Sequence, residues 1–152
     1  MKKIASFSVD HDKIRPGIYI SRIDGDITSF DLRTRTPNAG NYMDNVTMHS
    51  VEHMLATYLR GGEIGKSVIY FGPMGCRTGF YLLTRDLEPV AVLEALKKAL
   101  AATVAHEGAI FGNTLLVQCL FVLQKIYSVV TLDHGDQITP YDKERKEDNC
   151  RC

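Results

Sequence analysis

The feature that most constrains this chain is a helix-forming run from Asn45 to Arg60. Met48, Val51, Leu55, Tyr58 and Leu59 recur at helical period and give it one apolar stripe. Asn45 or Thr47 supplies a capping side chain at its start, and Gly61-Gly62 stops it. The same run carries His49, Glu52 and His53. Residues four apart stack on one helix face, roughly 5–6 Å apart at Cβ. Both imidazoles can therefore reach one divalent ion. Imidazole suits Zn, Fe, Ni and Cu alike, so the pair does not name the metal. Glu52, on nearly the same face, is then a candidate acid or base rather than a ligand. The plain alternative is a core helix with two incidental histidines; two at this spacing beside a carboxylate favour the metal. The same His-x-x-Glu-His order occurs in inverzincin peptidases.

The surrounding runs are short and β-rich. Ile4 to Val9 alternates apolar and polar residues, as a half-buried strand does, and ends in Asp10-His11-Asp12. A hairpin is predicted from about Ile18 to Arg33, turning at Asp24-Gly25-Asp26. Thr36-Pro37-Asn38-Ala39-Gly40 breaks the second arm before the helix. Ser67–Phe71 and Thr78–Leu83 read as two more strands, joined by Gly72-Pro73-Met74-Gly75-Cys76. Asp86–His106 is a second amphipathic helix, with Asp86 as cap, Pro89 in the first turn and Gly108 at its end. Its stripe is Val92, Leu93, Leu96, Ala99, Leu100 and Val104. The pattern predicts an α+β fold: an antiparallel or mixed sheet with helices packed on one face, in a single domain over 1–152. Leu115–Val130 is densely apolar but contains Gln118, Gln124 and Lys125, and it reads as buried rather than membrane-spanning. Residues 142–152 read as a charged, mobile tail.

With 152 residues the chain can bury one core. Its 18 basic and 18 acidic side chains cancel, so electrostatics imply neither a nucleic-acid nor a membrane partner. Lys2 and Lys3 are followed by Asp10 with no apolar signal-peptide core between, which predicts a cytoplasmic protein. Cys76, Cys119, Cys150 and Cys152 are not spaced as a disulfide framework; reduced thiols fit better. Cys76 stands between glycine-bearing turns. It is either a structural cysteine in a strand connection or an accessible thiol, whose pKa Arg77 or a nearby metal could lower.

Four stretches agree with one family. Ser6-Phe7-Ser8-Val9-Asp10-His11, Phe30-Asp31-Leu32-Arg33 with Pro37-Asn38, the His49–His53 motif, and Gly72-Pro73-Met74-Gly75-Cys76-Arg77-Thr78-Gly79-Phe80-Tyr81 occur in matching order and approximate spacing. Through them the sequence resembles S-ribosylhomocysteine lyase, which makes the precursor of autoinducer-2. The resemblance implies an α+β homodimer with active sites at the subunit interface. It implies one ferrous ion per subunit, replaceable by zinc or cobalt, held by His49, His53 and a later cysteine. Glu52 and Cys76 become the general acid/base pair, and Ser6, His11 and Arg33 line the substrate pocket. The implied reaction moves the carbonyl of S-ribosylhomocysteine from C1 to C3 by enediolate isomerisation, then expels homocysteine by β-elimination.

The resemblance fades near Thr114. Ile110-Phe111-Gly112 stands where the family has an Ile-Pro-Gly-like turn, and Leu120-Phe121-Val122 replaces the expected Gly and Tyr after Cys119. Cys119 is the candidate third ligand, and a buried cysteine in an apolar run is its alternative; His134, Cys150 and Cys152 are further candidates. The last segment is either diverged or read in a shifted frame. Two other functions stay open: a non-catalytic, metal-poor remnant of the family, and an inverzincin-like zinc peptidase. The peptidase leaves the surroundings of Cys76 without a purpose.

Overall fold

The computed structural model describes residues 14–109, Phe111 and residues 139–140. The strand expected over Ile4–Val9, the apolar run Leu115–Val130 and the charged tail lie outside the described residues. So do Ser6, His11 and Cys119.

The expected hairpin forms from β1 (Gly17–Asp24) and β2 (Ile27–Arg33), antiparallel from Gly17 opposite Arg33 to Asp24 opposite Ile27. Gly25 takes the turn at a φ of 61°, a backbone state that costs glycine little. The register slips at Ser21, whose hydroxyl donates to the Ser29 carbonyl at 3.1 Å. The second hairpin, β3 (Val68–Pro73) and β4 (Gly79–Arg85), joins the first through β4 against β2. A two-residue strand β5 (Thr139–Pro140) pairs parallel to β1, giving the order β3-β4-β2-β1-β5. The sheet is thus antiparallel but for that edge.

Side chains alternate across a strand. Phe30 and Leu32 of β2, with Phe80 and Leu82 of β4, enter one core with Ile18 and Phe71. Helix α1 (Asn45–Gly61) adds Val51, Met54, Leu55 and Leu59, and α2 (Pro89–Val104) adds Val92, Leu93, Leu96, Ala99 and Leu100. Phe71 and Phe80 stack with ring centroids 5.4 Å apart. Both helices serve this one face, as the apolar patterns required. Tyr58 and Met48 of the expected α1 stripe are only partly buried, because Met54 and Ser50 turn inward instead. Among the described residues no helix is long and apolar enough to cross a membrane.

The helix caps differ from expectation. Asp44, not Asn45 or Thr47, caps α1: its carboxylate accepts from the Thr47 amide at 2.8 Å and from the Thr47 hydroxyl at 2.6 Å. Thr47 is the donor to the cap, with its hydroxyl side chain buried beneath it. These two bonds, the hydroxyl's first, hold the Asp44 carboxyl below its ordinary range. Asp44→Ala is expected to cost about 1 kcal/mol in chemical denaturation. Because the folded pKa is depressed, the cap's contribution is complete above the unfolded carboxylate pKa and fades as pH falls through the folded one. A Thr47-insensitive, pH-independent loss would contradict that origin. At α2 the cap is Glu88, without a side-chain bond. Asp86 sits two residues earlier in the turn leaving β4, with a φ of 49° and its amide on the Asp26 carbonyl, so its carboxylate is not at the helix start. The helix closes at Ala105, ahead of Gly108.

Candidate active site

Cys76 lies in the turn between β3 and β4. The Arg77 amide donates to the Met74 carbonyl at 2.9 Å, and the Met74 amide to the Gly79 carbonyl at 2.9 Å, closing the hairpin. Arg77 holds a φ of 59°, uncommon for a residue with a side chain. Cys76 is exposed, so the reading of an accessible thiol holds and that of a buried structural cysteine does not. Gly79 sits directly opposite Arg33 of β2. A Cβ there would collide with the Leu32 carbonyl oxygen, so only glycine lets the two strands approach this closely.

That approach brings Arg33 to the thiol. Arg33 Nη1 lies 3.6 Å from Cys76 Sγ and 3.1 Å from Thr78 Oγ1, and Thr78 Oγ1 lies 3.0 Å from Cys76 Sγ. Arg33 Nη2 donates to Asp31 Oδ2 at 3.1 Å. Asp31 and Arg33 are 3 % and 5 % exposed, so this is a buried ion pair on the sheet face away from the helices. Burial is the largest influence on Cys76 and pushes its thiol up. The hydrogen bonds of the Thr78 side chain and backbone, with the charge and hydrogen bond of Arg33, outweigh it and set the thiol below its ordinary value. Tyr81, on the same face, is pushed up by burial and by the Asp31 charge, and so keeps its phenolic proton. The expected role of Arg77 on the thiol is not observed. Its guanidinium instead lies over the Tyr42 ring, 5.4 Å from the centroid; Arg33 is the cation beside the sulfur.

The helix half of the site is local. His49 and His53 meet edge to face with ring centroids 4.3 Å apart, one turn from each other on α1. His49 is exposed; His53 and Glu52 are half-buried. Two imidazoles at this separation on one helix face are a donor pair that fits a divalent metal. Among the described residues no three His, Cys, Asp or Glu side chains converge on one point. No hydrogen bond or ion pair among the described residues joins Glu52 to Cys76.

The two halves are nevertheless held by one frame. The Met43 amide, just before the α1 cap, donates to the Arg77 carbonyl at 3.0 Å, so the helix start hangs on the Cys76 turn. The Thr34 and Arg35 amides donate to the Thr78 carbonyl at 3.0 and 3.1 Å. Sequence reasoning assigned Arg33 to the substrate pocket but missed Asp31 and Thr78 as site residues; the one signal was two charges at alternate positions of a strand, Asp31 and Arg33. It also missed the contact of Tyr58 with His106, whose Nδ1 lies 2.9 Å from the Tyr58 hydroxyl.

One α+β fold thus sets a lowered cysteine thiol on one hairpin and, on the helix beside it, a histidine pair of the kind that can bind a divalent metal. The chain belongs to the S-ribosylhomocysteinase (LuxS) family, whose model matches residues 4–126. It is 44% identical over 119 residues to the S-ribosylhomocysteine lyase of Finegoldia magna, covering 75% of this chain and 76% of that enzyme. It is 41% identical over 125 residues to that of Desulfotalea psychrophila, covering 78% of each. With the lyase of Borreliella afzelii it shares 49% identity over 88 residues, 55% of this chain and 56% of that enzyme, so against that relative it spans little more than half the length. The family match reaches past Cys119.

Proposed function

We propose that the protein cleaves the thioether of S-ribosylhomocysteine, giving homocysteine and 4,5-dihydroxy-2,3-pentanedione, the autoinducer-2 precursor. The observation that carries this reading is the Cys76 thiol, held low by Thr78 and Arg33 on a loop inside the family match. An inverzincin-like zinc peptidase, in which Glu52 would activate water, gives this thiol no role.

The reaction needs a base on carbon and an acid on oxygen at each step. Cys76, as thiolate, takes the proton from the carbon beside the substrate carbonyl and returns it to the neighbouring carbon. Glu52 exchanges protons with the substrate oxygens. Two rounds carry the carbonyl from C1 to C3. Transfer of the C4 proton to the acid–base pair then breaks the C5–S bond; the electron pair leaves on sulfur, which takes up a proton as homocysteine, and the resulting C4=C5 enol tautomerises to the diketone. His49, His53 and Cys119 would hold a divalent cation, which when bound would supply Lewis-acid polarisation of the substrate oxygens. One ferrous ion per subunit is our assignment, with zinc or cobalt as substitutes. Arg33, together with Ser6 and His11, binds the ribose chain. The assembly we assign is a homodimer with its active sites at the subunit interface, in a cytoplasmic setting. In this reading residues 1–152 act as one lyase domain.

The experiment is a substrate test on anaerobically purified protein. Homocysteine thiol is expected from S-ribosylhomocysteine, lost on chelation and restored by ferrous ion. Peptide cleavage that survives Cys76→Ala would carry the peptidase instead. A folded dimer that never takes up metal would carry the inactive remnant.

A further inference from the structure

The buried partners of Cys76 have a direction. Arg33 has only donors, so Thr78 Oγ1 must accept from Arg33 Nη1 at 3.1 Å. A threonine hydroxyl has one proton. With a lone pair committed to Arg33, that proton is free to point at Cys76 Sγ, 3.0 Å away. The Arg33 fork is itself fixed by Asp31 Oδ2 on Nη2. From these contacts we infer that Thr78 and Asp31 are positioning residues: Asp31 locks Arg33, Arg33 orients the Thr78 hydroxyl, and Thr78 donates to the Cys76 sulfur.

The chain of contacts works only in that order. Reversed, Thr78 would have to donate to a guanidinium, which has no acceptor. A sulfur anion accepts hydrogen bonds far better than a neutral thiol does, so a donor fixed on it favours the ionised form. Thr78 is fully buried, and its carbonyl already binds the Thr34 and Arg35 amides, so its backbone cannot swing the hydroxyl elsewhere. The strand register sets the rest, since Gly79 opposite Arg33 places Thr78 beside the guanidinium. The lowered thiol described above agrees with this arrangement.

The inference rests on the lyase reading only for its purpose; the ordering of the hydroxyl is a property of the resting protein. It is therefore tested without substrate, by the rate of Cys76 alkylation with iodoacetamide across pH, with Cys76 located by peptide mass. Thr78→Val keeps the shape and removes the donor; Thr78→Ser keeps the donor. Thr78→Val is expected to slow alkylation near neutral pH by about tenfold and to move the rise of the rate to higher pH, a loss of about one hydrogen bond to a charged group. Thr78→Ser is expected to restore the profile, which a merely structural role would not do. Asp31→Asn is expected to act in the same direction with a smaller effect. An unchanged profile in folded Thr78→Val overturns the inference, as does a serine variant that behaves like valine. Should the valine variant not fold, the Asp31→Asn profile decides: wild-type behaviour overturns the relay and a slowed rate supports it. Homocysteine release is measured separately. Its absence in wild-type protein with the expected alkylation profiles would overturn the lyase reading and leave the ordering of Thr78 standing.

Discussion

Turnover of S-ribosylhomocysteine is expected to fall roughly a thousandfold in Cys76→Ala, within the 10²–10⁴ range that positioned acid–base groups contribute. The reason is specific to this loop. The sulfur is exposed at the turn while the groups that hold it, Arg33 and Thr78, are buried. Substrate can reach the sulfur without disturbing what tunes it. Removing the sulfur deletes the base yet leaves the Asp31–Arg33 pair, the turn and the α1 cap in place, so melting temperature and bound metal should change little. Cys76→Ser is expected to lose nearly as much, since a hydroxyl beside Arg33 stays protonated where a thiol ionises. In wild-type protein the folded thiol pKa is depressed, so turnover should rise with pH through that lowered value and be established below the ordinary thiol range. Linkage runs the same way: the ionised thiol's contribution to stability is present above the unfolded thiol pKa and is lost as pH falls through the folded one. Retention of turnover within tenfold in Cys76→Ala would remove Cys76 from the chemistry.

Metal binding should collapse in His53→Ala. The rings of His49 and His53 lie 4.3 Å apart at their centroids, and among the described residues no other donor is poised to replace either. Loss of one imidazole leaves a single helix ligand. Affinity is expected to drop by more than the roughly 10–100-fold that removal of an outer-sphere partner costs, taking bound metal from about one per chain to near zero after gel filtration. The helix itself should survive. Its core contacts come from Val51, Met54, Leu55 and Leu59, and its cap from Asp44. Helicity by circular dichroism should therefore stay near wild type while elemental analysis shows the metal gone. His49→Ala should behave alike. Undiminished metal in both variants would return the histidines to the status of incidental helix residues.

What could be read from the residues was local. Asp24-Gly25-Asp26 announces its hairpin because turn and alternation sit in one window, and Gly25 takes the left-handed state that such a turn requires. His49 and His53 announce their pairing because helical spacing brings them together without help from the rest of the chain. The cap of α1 was harder, since Asp44, Asn45 and Thr47 all have capping side chains within one turn. The choice fell to Asp44 because the Thr47 amide and hydroxyl both point at it. The surroundings of Cys76 were not legible in this way. Arg33 stands 43 residues from it in sequence, and only the β2–β4 register, with Gly79 against Arg33, makes them neighbours. Arg77, adjacent in sequence, looked the better partner, but its backbone turns the side chain away to Tyr42. Ser6, His11 and Cys119 lie outside the described residues, so their roles rest on the family resemblance alone.

The most direct single measurement is the stoichiometry of products from S-ribosylhomocysteine, followed under anaerobic conditions with protein carrying ferrous ion. One homocysteine thiol and one 4,5-dihydroxy-2,3-pentanedione per substrate consumed, absent in Cys76→Ala, is the expected result. Folded, metal-loaded protein that releases no thiol would contradict the lyase assignment.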